Sequence, residues 1–215
     1  MPDAIRVILV DYGSGNLRSA AKAFAAAAET ITPPADIRVS DSPADLANAS
    51  HIVLPGVGAF ADCMAGLSRI PGMIAALEKA VLEREIKFLG ICVGMQLMAT
   101  IGHEHGTHKG LGWIPGEVKA LKTPPELKVP HMGWNTLEFP RQTPLFEGLK
   151  PGDHAYFVHS YHLELADDSL LAAQTDYGGK VTAAIARGHI FGTQFHPEKS
   201  QAAGLHLIRN FLTRC

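Results

Sequence analysis

The chain has 215 residues, enough for one domain with a sizeable core and too few for two comfortable ones. Hydrophobic residues make up 47% and charged residues 19%, an ordinary globular balance, and the formal net charge of -2 leaves no electrostatic case for a nucleic-acid or membrane-surface partner. The three cysteines, Cys63, Cys92 and Cys215, are odd in number and widely scattered, which argues against a disulfide framework or a four-cysteine zinc site and suits a reducing cytosol.

The N-terminal segment MPDAIRVILVDYG carries no basic region and only a short apolar run, so it reads as a first strand and not as a secretory signal. No apolar stretch approaches the roughly 20 residues of a membrane span. A cytoplasmic location is the expectation. Ile5–Val10 is a run rich in β-branched residues, as in a strand buried on both faces. Asn16 is placed to cap the alanine-rich helical segment after it. Strands are expected at Ile37–Ser40 and His51–Leu54, then helices over Ala59–Arg69 and Met73–Glu85 on either side of Pro71-Gly72. A strand Phe88–Ile91 leads into a helix Val93–Ile101. This βαβα order implies a parallel sheet with helices on both faces.

From about Trp113 the pattern changes to short β-like runs separated by proline and glycine: Glu117–Leu121, Trp134–Phe139, Tyr156–Leu165, Leu171–Thr175, Val181–Ala186 and Ile190–Phe195. Meander-like pairs that join or flank the parallel sheet are expected. Ala202–Thr213 reads as a closing helix. With no repeat, low-complexity tract or linker, residues 1–215 are expected to form one domain.

Gly90-Ile91-Cys92-Val93-Gly94 lies between an apolar strand and a helix, the context of a nucleophile elbow with cysteine in the serine position. Glycines keep Cβ atoms away from the tight turn, and the helix starting at Val93 aims free N–H groups at the sulfur, favouring its reactive form. The Val93 amide is also placed to hold an oxyanion. The competing reading is a buried structural cysteine, but between two glycines it would pack little. Cys63 falls in a helical pattern and reads as core.

A cysteine nucleophile works with a histidine held by an acidic or amide group. Phe195-His196-Pro197-Glu198 ends an apolar run, and in an extended chain residues two apart share a side. Glu198 is then placed to orient His196, with Pro197 stiffening the link. Alone, the pair also reads as a satisfied surface contact. His131 and His159 are weaker candidates for the base. His103, His105 and His108 lie in the loop HEHGTHKG, where no further ligand cluster stands out, so no metal site is expected.

The elbow together with the FHPEKS stretch resembles the triad glutaminases, the class I amidotransferases. Asp11–Ser19, Leu54–Phe60, Pro130–Asn135, Tyr156–Tyr161 and Gly192–Ser200 narrow the resemblance, over nearly the whole chain, to the glutaminase subunits of imidazole glycerol phosphate synthases. The resemblance implies a flavodoxin-like fold: a mostly parallel central sheet flanked by helices, with added antiparallel strands in the C-terminal half. It implies that Cys92 attacks the amide of glutamine, that His196 takes and returns the proton, and that Glu198 orients it. Val57 and Val93 would supply oxyanion-hole amides, and Gly56, Gly58, Gln96, Ser160 and Tyr161 the glutamine site. Asn16, Trp134, Tyr156 and Lys199 would face an ammonia channel and a partner. That partner would be a (β/α)8-barrel cyclase subunit, joined in a heterodimer for histidine biosynthesis. No cofactor is implied.

The resemblance also implies low activity until the partner binds its ligand, and the Pro55–Gly58 loop is the expected switch, since glycines at 56 and 58 ease peptide rotation. PGVG by itself reads equally as a strand-end turn. Asn16 reads as a helix cap, Trp134 and Tyr156 as core, and Lys199 as solvated. The alternatives are a glutaminase for pyridoxal phosphate synthase or a nucleotide synthetase, against which DYGSGN and PHMGWN argue. A non-catalytic binding protein would have lost the triad, and a papain-like protease lacks the strand–Gly-x-Cys-x-Gly elbow.

Overall fold

The computed structural model describes residues 5–215; the first residues of the N-terminal segment read above lie outside the described residues. The β-branched run forms β1 (Arg6–Val10), with Val7 to Val10 all buried. Helix α1 (Leu17–Ala28) follows and buries Ala20, Phe24, Ala27 and Ala28, a stripe at helical spacing. Next come β2 (Asp36–Ser40), β3 (His51–Gly56), α2 (Phe60–Arg69), α3 (Met73–Glu78) and β4 (Lys87–Cys92). Helix α3 is shorter than expected because its end widens over Lys79–Glu83, where Arg84 N–H reaches back to the Lys79 carbonyl.

After Cys92 come α4 (Val93–Gln96), β5 (Ala99–Gly102), β6 (His108–Lys109), β7 (Ile114–Ala120), β8 (His131–Thr136), β9 (His154–His159) and β10 (Tyr161–Leu165). The chain closes with β11 (Leu171–Asp176), β12 (Lys180–Arg187), β13 (Ile190–Thr193) and α5 (Gln201–Thr213). The main sheet has order β11-β12-β13-β4-β3-β1-β2. Its β13-β4-β3-β1-β2 part is parallel, and β12 and β11 extend it antiparallel. A four-stranded sheet β10-β7-β5-β6 and the pair β8-β9 lie outside it. Helix α5 docks through Leu207, Ile208, Phe211 and Leu212, with Phe211 edge-on to Phe24 and Phe191. No single helix among the described residues is long and apolar enough to cross a membrane.

Two expected elements are corrected. The helix Val93–Ile101 stops at Gln96 and its second half is strand β5. The incoming chain decides this: the carbonyls of Leu97, Met98 and Ala99 accept from the amides of Leu111, Ile114 and Gly112 and so cannot continue a helical ladder. The run Tyr156–Leu165 breaks at Ser160, because β9 pairs with β8 while β10 pairs with β7 in a different sheet. The loop that holds His103, His105 and His108 supplies β6, a short partner for β5.

In the parallel part, strand order reverses between β1 and β3, and the carboxyl ends of β1, β3, β4 and β13 emerge on one rim. That is where open α/β sheets hold their ligands.

Candidate active site

Strand β4 passes directly into α4 at Cys92, which is held at φ 54 and ψ -111, a conformation that residues with a side chain avoid. The neighbouring glycines make the turn possible. A Cβ on Gly90 would lie 2.6 Å from the Gly94 carbonyl oxygen, and one on Gly94 would lie 1.8 Å from that of Leu54. The strain sits on the cysteine itself. Because α4 has four residues, it presents the free amides of a first turn with little macrodipole behind them.

His196 follows β13 and is tied by its amide to the Tyr156 carbonyl. Its Nδ1 is 2.8 Å from Glu198 Oε1, and both side chains are 1% exposed. An extended segment was expected to set this pair; the link is instead a 3-10 turn over Pro197–Lys199, entered from an extended His196. Burial pushes the His196 pKa down, but Cys92 and Glu198 together outweigh it and hold the imidazole up at about 9. With Nδ1 occupied, Nε2 is the nitrogen left for the thiol, and it is buried with no hydrogen-bond partner. The ring thus senses the sulfur without a formed hydrogen bond to it, as is common before substrate closes a site.

Asn16 does not act as the expected cap. It stands at the N-cap of α1 with φ 67, yet its side chain makes no capping bond, and Nδ2 donates to Glu198 Oε1. That oxygen serves two donors, while Glu198 Oε2 is buried without a partner.

Cys92 and His196 share a cavity of about 310 Å³ with Val57, Gly58, Val93, Gln96, Ser160 and Tyr161. Gly56 is not among the lining residues. It is paired with Cys92 across β3 and β4, where a Cβ would lie 2.7 Å from the Gly94 nitrogen, so its place is structural contact behind the elbow. The Val57 amide donates to Ser14 Oγ at 2.8 Å and is therefore committed elsewhere.

Three site residues carried no usable sequence signal. Gln194, fully buried, donates to Cys92 Sγ at 3.6 Å and accepts from Gln96 Nε2 at 3.0 Å. Ser14 holds Val57. Glu104, from the loop that holds His103, His105 and His108, lines the cavity and accepts the Phe60 amide at 2.7 Å. His131 and His159 are buried and bonded to each other at 3.0 Å, and His103 is paired with Glu117.

Trp134, Tyr156 and Lys199 do not line the cavity. Trp134 lies opposite Tyr156 in the β8–β9 ladder, edge-on at 5.9 Å, and Lys199 Nζ stands 5.5 Å over the Tyr156 ring. Trp134 is 46% exposed and Met132, on the same strand face, 62%. An aromatic, apolar patch with a cation thus adjoins Glu198.

Residues 8–215 match the family described as glutamine amidotransferase class-I. A solved structure described as a glutamine amidotransferase superposes with TM-score 0.71 at 18% identity, covering 95% of this chain and 96% of that one. The glutaminase domain of CTPS from Trypanosoma brucei gives TM-score 0.66 at 15% identity, covering 97% and 94%; such likenesses speak for the fold alone. The chain belongs to the class-I glutamine amidotransferases. Curated relatives named imidazole glycerol phosphate synthase subunit HisH are 55% identical in Rhodospirillum rubrum and 54% in Agrobacterium fabrum, each match covering 97% of this chain and 98% of the relative. Within its class the chain therefore belongs to the HisH family.

Proposed function

We propose that this chain hydrolyses glutamine to glutamate through a thioester on Cys92 and delivers the ammonia to a synthase partner in histidine biosynthesis. The observation that carries the reading is the buried Cys92–His196–Glu198 arrangement at the strained end of β4, in a chain of this family. Cys92 gives its proton to His196 Nε2, and the thiolate so formed attacks the amide carbon. That proton then moves to the amide nitrogen as the C–N bond breaks and ammonia leaves. Water attacks the thioester, giving one proton through His196 back to the sulfur, and glutamate departs. With an imidazole pKa held at about 9, the cation that forms beside the sulfur persists at neutral pH. Glu198 orients that ring.

The Val93 and Val57 amides form the oxyanion hole. Since Val57 donates to Ser14 in this state, the hole is complete only after the Pro55–Gly58 loop turns. Gln96, Gly58, Ser160 and Tyr161 shape the glutamine pocket, and Glu104, the one carboxylate among its lining residues, suits the substrate's α-ammonium.

Ammonia released to water is protonated and lost as a nucleophile, so a partner must take it directly. We assign that role to a (β/α)8-barrel cyclase subunit, docked in a heterodimer on the Met132–Trp134–Tyr156–Lys199 patch, with Asn16 at the channel mouth. Large aromatic side chains and methionine are what such interfaces favour. The three free cysteines fit a reducing cytoplasm.

Glutamate release is measured with and without the cyclase and its ligand. Strong stimulation by both supports the reading. Cys92→Ala is expected to lower glutamine use by about 10³-fold or more while ammonia-dependent synthesis by the complex continues. Glutamate release that survives Cys92→Ala defeats the proposal.

A further inference from the structure

One cavity-lining residue, His159, belongs to a buried histidine pair that the reaction does not use. His131 and His159 face each other across the β8–β9 ladder, with relative exposures of 2% and 6%. His131 is sandwiched between Phe157 and Tyr177, with ring centroids 4.7 Å and 3.9 Å away. Three hydrogen bonds involve the pair, and a fourth continues the chain from Asn135. His159 Nδ1 is 2.9 Å from the Tyr161 carbonyl oxygen, and His159 Nε2 is 3.0 Å from His131 Nδ1. Asn135 Nδ2 is 3.2 Å from His131 Nε2 and 2.8 Å from the Asp176 carbonyl oxygen.

The direction of every bond follows from the two ends. A carbonyl only accepts, so His159 carries its proton on Nδ1 and offers Nε2 as an acceptor. His131 must then donate from Nδ1, leaving its own Nε2 to accept from Asn135. The Asn135 amide cannot be reversed, because its Oδ1 accepts the Thr136 amide at 2.8 Å while Nδ2 donates to Asp176. Both rings are therefore neutral and have one tautomer each. A second proton on His159 would set donor against donor at 3.0 Å across the pair, and one on His131 would oppose Asn135 Nδ2 at 3.2 Å.

The end of this chain is the cavity. The Tyr161 carbonyl accepts from His159 and also from Gln96 Nε2 at 2.8 Å, and Gln96 in turn donates to Gln194, which reaches Cys92 Sγ. Tyr161, His159 and Gln96 all line the cavity. We propose that His131 and His159 are positioning residues, a tautomer-locked strut that holds the Tyr161 carbonyl and, through it, the side chain of Gln96 in the glutamine pocket. The inference rests on reading that cavity as the glutamine site.

Imidazole ¹⁵N shifts of the wild-type protein near neutral pH test the strut directly. Among the eleven histidines, the signals lost in His131→Asn and His159→Asn identify the two rings. Both are expected to be neutral with the proton on Nδ1; an Nε2–H tautomer or a charged ring overturns the proposal. Steady-state kinetics of the complex test the positioning. Asparagine places an amide where Nδ1 stands, and glutamine places one where Nε2 stands. His159→Asn keeps the donor to Tyr161 and is expected to hold KM for glutamine within about threefold. His159→Gln loses that donor and is expected to raise KM about tenfold, with a smaller change in kcat. A merely space-filling histidine predicts the same KM for both, and that result sinks the inference. If the wild type itself releases no glutamate, the glutaminase reading falls instead, and the ¹⁵N spectra alone decide whether the strut exists.

Discussion

An asparagine at a helix N-cap ordinarily turns its side chain back onto the first-turn amides, and Asn16 turns outward to Glu198 instead. Its left-handed backbone, φ 67, is one that glycine adopts without cost. The two roles of the residue can therefore be separated. Asn16→Gly is expected to leave the melting temperature nearly unchanged or slightly raised, because no cap is lost and the strain is relieved. It is expected to reduce kcat for glutamine hydrolysis about tenfold, since Glu198 Oε1 loses one of its two donors beside His196. A clear drop in melting temperature with kcat intact would return Asn16 to the role of a plain helix cap. Residues of this kind show where local patterns stop. Asn16 carried a capping signature, and only its long-range neighbour reveals what the side chain does.

Among the elements, the end of β3 and the β1–α1 loop act together. Ser14 Oγ accepts the Val57 amide and also lies 3.3 Å from the Val57 carbonyl oxygen, so one hydroxyl holds the peptide on both sides. Gly58, at φ 112 with open space where a Cβ would be, leaves the next residue free to rotate. Ser14→Ala is expected to release the Val57 amide and raise partner-free glutamate production by about three- to tenfold, while stimulation by the cyclase shrinks. An unchanged or lower basal rate would show that Ser14 does not restrain the loop. The elbow itself was legible because strand, glycine, cysteine, glycine and helix are adjacent in the chain. The end of α4 was not, since its residues are buried all round and carry no period, and the captured carbonyls of 97–99 come from contacts with residues 111–114.

For the molecule as a whole, the buried histidines set the pH range of stability. Burial pushes His51 and His131 down to about 4 and His159 to about 3, and lowers His162 as well. These groups are neutral in the native state, whereas in the unfolded chain they take up protons below about pH 6.5. Their contribution is fully present above that value and is lost as pH falls toward 4 and 3. His196, raised to about 9, works in the opposite sense: its contribution is present below about pH 6.5 and is lost as pH rises through 9. Urea midpoints are thus expected to peak near about pH 6.5, to decline as pH rises toward 9, and to fall steeply by about pH 4.5. A midpoint as high near pH 4.5 as near pH 7.5 would contradict neutral burial of the histidines.

By itself the amino-acid sequence determined the order of strands and helices outside β5, β6 and the β9–β10 break, the parallel character of the first half and the antiparallel additions of the second. The β-branched runs, alanine-rich stripe and glycine punctuation that encode these are local and periodic. It also singled out Cys92 from its own elbow pattern, and His196 and Glu198 once they were read together with that elbow. Tertiary structure alone decided which amides and side chains surround them. Asn16, Ser14, Glu104 and Gln194 meet their partners across 182, 43, 44 and 102 positions of chain. No window of neighbouring residues contains such a meeting. It arises when the carboxyl ends of β1, β3, β4 and β13 are brought to one rim by the packing of the sheet.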